Sequence, residues 1–226
     1  LNPPSSEVAN SSWKVEGWSQ PAEVVGGDFV EVRRDGDIVR IWIGDVTGHG
    51  RLAAYASTVL RAKLQQFFAV DPTPQALRAA SASVYNTFEG ERFLCTTFIT
   101  LNERQGRATV WNAGNPSVVV RRKQSNTIES IPSTGMPLGL VAPGEWVAPE
   151  PTVVELAPGD QLICFTDGLV DDRGRRGRFG MRRVIRVLQQ RPDEAISELA
   201  SRFTAFSNPQ TESDDVTVVS IQRDPA

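Results

Sequence analysis

The sequence predicts an α+β fold: a four-layer α-β-β-α sandwich of two mainly antiparallel sheets flanked by helix pairs. Three observations predict it. Strand-like runs come in meandering sets joined by short turns, helical runs come in pairs, and 40% of the 226 residues are apolar against 23% charged. Such a composition supplies a sizeable core. Two sheets facing each other, with a helix pair on each outer face, bury the apolar side of every element.

The elements follow in chain order. Residues 1–20 are polar and Pro/Ser-rich with Trp13 and Trp18 embedded, and read as a linker leading into an edge strand. Residues 1–17 are assigned to that linker, from an upstream domain, and 18–226 to one folded domain. The chain opens on Leu1 rather than Met, and is read as a piece of a longer protein. Ile38–Ile43 is a β-branched run, and Asp35-Gly36 before it predicts a hairpin with Phe29–Val32. Leu52, Ala56, Val59, Leu60, Leu64 and Phe67 recur at helical spacing and predict a helix over Leu52–Phe68. Asp71-Pro72-Thr73-Pro74 breaks it and starts a second helix that ends near Phe88.

The period then changes. Phe93–Leu101, Ala108–Trp111 and Ser117–Arg121 read as strands, and the Pro/Gly-rich stretch Ile131–Pro151 as loop. Thr152–Leu156 and Gln161–Thr166 are strands joined by Ala157-Pro158-Gly159-Asp160. Met181–Gln190 and Asp193–Phe206 are helices, and Val216–Gln222 is a final strand.

A formal net charge of -3 argues against nonspecific binding to nucleic acid or anionic membranes. The two cysteines, Cys95 and Cys164, sit in apolar runs and read as buried free thiols of a reducing compartment. With no signal peptide, apolar span or lipidation motif visible, the expected location is the cytoplasm.

Four aspartates stand in short motifs at strand ends: Asp28 in Gly26-Gly27-Asp28-Phe29, Asp45 in Gly44-Asp45-Val46-Thr47-Gly48-His49-Gly50, Asp167 in Thr166-Asp167-Gly168 and Asp214 in Asp214-Asp215-Val216-Thr217. Singly, each has a plain alternative. Asp28 could sit in a turn or in a fragment of a cyclase-like GGD signature, which the following Phe29-Val30 disfavours; Asp45 or Thr47 could cap the following helix, Asp167 could form a turn, and Asp214-Asp215 could be a solvated edge. Together they are more specific, because they lie 17, 122 and 47 residues apart and no local turn links them. Carboxylates at strand ends beside sharply bending backbone suit a hard cation with oxygen ligands, and so a metal-assisted phosphoester hydrolysis. His49 is the one histidine. A zinc site or a Ser/His/Asp triad would hang on it alone, and a structural or supporting role is the expectation.

The ordered set Gly-Gly-Asp, Gly-Asp-Val-Thr-Gly-His-Gly, Asn-Ala-Gly, Pro-Leu-Gly-Leu, Thr-Asp-Gly, Phe-Gly, Asp-Asp-Val-Thr resembles the SpoIIE/RsbU-like branch of the metal-dependent protein phosphatases (PPM), bacterial relatives of the type 2C Ser/Thr phosphatases. The resemblance covers about residues 18–222. It implies a centre of two Mn²⁺ or Mg²⁺ ions. Asp45 would bridge them, the Val46 carbonyl would complete one, Asp167 and Asp214 would hold one ion, and Asp28 the other. It implies a phosphoserine/phosphothreonine phosphatase acting on a phosphorylated protein, a small anti-sigma-factor antagonist, in bacterial stress or developmental signalling. It further implies control by an upstream sensor domain or a homodimer partner. The chain departs from the pattern at Asn115, where relatives commonly carry His, and at Val30-Glu31; both bear on the site rim and partner choice. Asp171–Arg178 reads as a solvated charged loop or as a docking element for the phosphoprotein. A noncatalytic partner-binding module of the same fold is the alternative, disfavoured because all four acids are present. A phosphodiesterase or nuclease is disfavoured by charge and by the lack of a basic groove interleaved with aromatics.

Overall fold

The computed structural model describes residues 12–174, 177–208 and 213–224. The elements are β1 (Trp13–Gln20), β2 (Phe29–Asp35), β3 (Ile38–Val46), α1 (Gly50–Leu64), α2 (Pro74–Phe88), β4 (Leu94–Asn102), β5 (Arg107–Ala113), β6 (Val118–Arg121), β7 (Ile128–Ile131), β8 (Thr152–Glu155), β9 (Gln161–Phe165), α3 (Gly168–Asp171), β10 (Arg173–Gly174), β11 (Gly177–Arg178), α4 (Met181–Gln190), α5 (Ala195–Phe206) and β12 (Val216–Arg223). Short 3₁₀ turns, Gln65–Phe67 and Pro192–Glu194, extend α1 and precede α5.

One five-stranded sheet has the order β1-β12-β9-β6-β7 and the other β2-β3-β4-β5-β8. Every pairing in both is antiparallel. Side chains alternate between the faces of a strand, so each sheet feeds two interfaces. Val39, Ile41 and Ile43 of β3 point inward with Ile99, Leu101, Val110, Leu162, Cys164, Val219 and Ile221, and close the gap between the sheets. Trp42 and Val46, on the other face of β3, pack with Leu60, Leu64, Leu77 and Val84 of α1 and α2. Ile163 and Phe165 of β9 pack outward against Val184, Val187, Leu199 and Phe203 of α4 and α5. Three apolar interfaces separating helices, sheet, sheet and helices make the expected four-layer sandwich.

Local chemistry accounts for the element ends. Gly36 turns the β2–β3 hairpin with φ 58°, a conformation that glycine adopts without the Cβ penalty. Thr73 caps α2 by accepting the Ala76 amide on its hydroxyl at 3.1 Å, with Pro74 in the first turn. Aromatic side chains lock the end of α1 onto the sheet: Phe29 meets Trp42 edge-on at 4.6 Å, and Phe68 lies 4.1 Å from Trp42 and 4.9 Å from Phe98. Such pairs add about 0.5–1.5 kcal/mol each beyond the area they bury.

Several expectations are corrected. Residues 13–17, assigned to the linker, form the first half of β1, and Trp13 pairs with Arg223 of β12. These residues thus belong to an edge strand of the folded domain, whose expected start is residue 18; residues 1–11 of the expected linker fall outside the described residues. The face of α1 is set by Ala53, Ala56, Leu60 and Leu64, all buried, whereas Leu52 is 69% exposed. Ile128–Ile131, short and carrying Glu129, is the edge strand β7, where only a loop was expected from Ile131 onward. Among the described residues no helix is long and apolar enough to cross a membrane.

Candidate functional site

The inward faces of the strands change character at one end of the sandwich. On β3 the inward series Val39, Ile41, Ile43 ends in Asp45. Following the same alternation, Leu101 and Ile99 of β4 give way to Thr97 and Cys95, and Val110 of β5 to Asn112. Leu162 and Cys164 of β9 lead to Thr166, and Ile221 and Val219 of β12 to Thr217. Register brings these positions side by side: Asp45 faces Cys95, Thr97 faces Asn112, and Thr217 faces Ser19. The apolar filling between the sheets thus ends in a polar floor.

Four strand ends deliver the predicted acids to this end. Asp28 immediately precedes β2, Asp45 is the second-last residue of β3, Asp167 follows β9 and heads α3, and Asp214 lies two residues before β12. Asp28 is tied from below: Thr166 Oγ1 donates to its Oδ2 at 2.8 Å, while its Oδ1 is buried with no hydrogen-bond partner. The Val46 carbonyl borders Gly27, since a Cβ there would stand 2.8 Å from the Val46 oxygen. Asp214 is exposed at the rim and accepts the amide of Asp215 at 2.8 Å.

Electrostatics shows the four acids acting on one another. Burial pushes the Asp28 carboxyl up to about 8, with Asp215 and Asp214 adding to the rise and the Thr166 hydrogen bond opposing it. Asp45 lies well above the usual carboxylate range, through burial first and then the charges of Asp28, Asp167, Asp214 and Asp215. Asp167 is raised by burial and by Asp214 and Asp171. Asp214, despite its exposed edge, is raised by desolvation and by Asp215, against the lowering effect of the Asp215 amide and His49. Buried like charges without a counter-ion are costly, and a bound cation removes that cost.

The donor set fits a hard divalent cation: carboxylate oxygens, a backbone carbonyl nearby, and an Asp28 oxygen that no protein donor satisfies. Among the described residues no three His, Cys, Asp or Glu side chains are already gathered into a cage. The acids share a field rather than a preformed coordination sphere.

The neighbouring residues sort into roles the sequence left open. Thr47 does not cap α1. Its hydroxyl donates to the Phe93 carbonyl at 2.7 Å and accepts the Phe93 amide at 2.8 Å, latching the Asp45 loop to the start of β4. His49 occupies the N-cap position of α1 without a side-chain cap bond, and its Nδ1 lies 3.0 Å from Glu23 Oε1. Asn115, expected to shape the rim, is only 3% exposed. Its Nδ2 donates to Thr97 Oγ1 at 3.0 Å within the polar floor. In the charged loop, Arg178 pairs with Asp171 at 2.6 Å; Arg175 and Arg176 lie outside the described residues. Sequence reasoning missed Thr166, Thr217 and Asp215 as site-building residues. Their position inside the same motifs as Asp167 and Asp214 was the available signal.

Comparison with known proteins identifies the family and the fold. The family model described as stage II sporulation protein E (SpoIIE) matches residues 35–224. The chain is 23% identical over 166 residues to phosphoserine phosphatase RsbU of Bacillus subtilis (strain 168), a match covering 70% of this chain and 47% of that protein. It thus spans about half the length of that curated relative. The crystal structure of the RsbU and RsbW domains of Rv1364c from Mycobacterium tuberculosis superposes with a TM-score of 0.78 at 24% identity, over 95% of this chain and 61% of that one. The catalytic domain of the serine/threonine protein phosphatase PstP, solved in complex with two manganese ions, gives 0.61 at 18% identity over 93% and 97%. At these identities the structural likenesses carry the fold.

Proposed function

The chain belongs to the SpoIIE family, within the SpoIIE/RsbU-like branch of the PPM phosphatases, and from that membership we propose that it is a metal-dependent phosphoserine/phosphothreonine protein phosphatase. The observation that carries the reading is the delivery of Asp28, Asp45, Asp167 and Asp214 by four separate strand ends onto one polar end of the sandwich, where their charges raise one another's pKa. Asp45, with the Val46 carbonyl, Asp28, Asp167 and Asp214, would hold two Mn²⁺ or Mg²⁺ ions. Such ions would supply an activated water and charge stabilisation for the phosphoryl oxygens.

The chain's own residues prepare that site. Thr166 orients Asp28, and Thr47 fixes the loop that follows Asp45. The apolar filling between the sheets closes the site from within, and Asp214 stands exposed at its rim. An exposed rim, rather than a deep cavity, suits a phosphate presented on a protein surface. The resemblance to RsbU supports a small anti-sigma-factor antagonist as that protein, and an upstream domain or a second copy as the source of control. The deciding experiment is Mn²⁺-dependent phosphate release from a chromogenic phosphomonoester by the wild type and by Asp45→Ala. Turnover in the first and none in the second is expected; absent turnover in the wild type favours the noncatalytic partner-binding module, and metal-independent turnover overturns the metal reading.

A further inference from the structure

Asp215 adjoins Asp214 in sequence but has a different environment. It is 2% exposed. One carboxylate oxygen accepts the Ala22 amide at 2.7 Å and the other the Gly27 amide at 2.6 Å. Both amides belong to the loop between β1 and β2 that ends in Asp28. Two glycines make the approach feasible. A Cβ on Gly26 would overlap the Asp215 carboxylate, and one on Gly168 would overlap the Asp215 carbonyl oxygen. Three segments distant in sequence therefore meet on one residue: the loop bearing Asp28, the turn bearing Asp167 and the start of β12. Hydrogen bonds to an ionised group are about twice as strong as neutral ones, and a two-point attachment restrains the loop in rotation as well as position.

We propose that Asp215 is a positioning residue: by clamping the Ala22 and Gly27 amides it sets where the Asp28 carboxylate stands relative to Asp45 and Asp167. With an amide on each oxygen, it acts through the loop rather than as a ligand. Its consequence for metal binding rests on the function proposed above; the clamp itself rests on the geometry alone.

The test uses the wild type, Asp215→Asn and Gly26→Ala, each first checked by circular dichroism. Asparagine keeps the shape and one acceptor but turns an NH₂ toward the second amide. Gly26→Ala keeps Asp215 and crowds its carboxylate, so the test does not depend on either variant alone. Hydrogen exchange on the metal-free proteins and calorimetric Mn²⁺ titration are the readouts. The amides of residues 22–28 should exchange faster in both variants while α1, α4 and the sheet centres keep wild-type protection. Mn²⁺ affinity should fall by about tenfold or more, the usual effect of losing an outer-shell partner. Turnover should recover at saturating Mn²⁺ with substrate KM unchanged. Wild-type protection of the loop, unchanged Mn²⁺ affinity, or a uniform loss of protection throughout the fold would each overturn the proposal. If the wild type itself binds no Mn²⁺, the metal reading of the site fails and the exchange data alone decide the clamp.

Discussion

Thr166 Oγ1 donates to Asp28 Oδ2 at 2.8 Å across 138 residues of sequence. The same hydroxyl accepts the Thr217 amide at 2.9 Å. One fully buried side chain thereby joins the end of β9, the start of β12 and the residue that opens β2. It also divides the work of the Asp28 carboxylate: one oxygen is held by the protein, and the other is left unpartnered.

Replacing Thr166 by Val keeps the volume and removes the hydroxyl. The Thr217 amide then loses its acceptor in a buried setting, which costs about 1–3 kcal/mol. Denaturant unfolding should show that loss, and Mn²⁺ affinity should fall by about tenfold because Asp28 is no longer oriented. Thr166→Ser should restore both. A valine variant with wild-type affinity would remove Thr166 from the site.

Asp45→Asn and Asp167→Asn are expected to change activity and stability in opposite directions. Each removes a ligand charge, so phosphomonoester turnover should disappear while the circular dichroism spectrum stays. Each also relieves repulsion within the acid cluster. The metal-free variants should therefore melt above the metal-free wild type. Wild-type turnover in either variant would falsify the ligand assignment.

Much of this was legible in the sequence, for identifiable reasons. The β-branched run Ile38–Ile43 and the helical spacing of Leu60 and Leu64 are local, and local patterns survive folding. The α1 face was misread because size guided the choice: Leu52 is exposed, whereas Ala53, fully buried, lets the helix approach the sheet. The edge strand β7 escaped because four residues carry too little pattern. Asp214 and Asp215 are indistinguishable as neighbouring acids. Only a partner 188 residues away, the Gly27 amide, separates an exposed rim carboxylate from a buried clamp. Hydrogen bonds across that distance leave no periodic trace in the sequence.

Cys95 and Cys164 are expected to stay reduced and unreactive in the folded protein. Cys164 is buried, Cys95 half-buried opposite Asp45, and both are free. Burial raises both thiols, and for Cys95 the charges of Asp45, Asp167, Asp28 and Asp214 raise it further. The thiolate is the reactive form. Iodoacetamide at pH 8 should label neither cysteine until denaturant is added, and the double Cys→Ala variant should retain turnover. Rapid native labelling of Cys95 would show that the thiolate is present.

The acid cluster should also invert the usual pH dependence of stability. Asp28 titrates near 3.8 when unfolded and at about 8 in the metal-free fold. Between those values the native state holds a proton that the unfolded state has lost, so stability falls as pH rises. For this group stability is greatest below pH 4 and has been lost once pH passes about 8. Asp45, Asp167 and Asp214 are raised in the same direction and act with the same sign. A bound cation demands the deprotonated acids, so its affinity must rise over the range where they lose protons. The metal-free protein should accordingly melt at a lower temperature at pH 8.5 than at pH 5.5. Saturating Mn²⁺ should reduce or reverse that slope, and calorimetry should show protons released on binding. A melting temperature that rises with pH in the metal-free protein would mean that the four carboxylates are ionised without a counter-ion, and the electrostatic account of the site would fail.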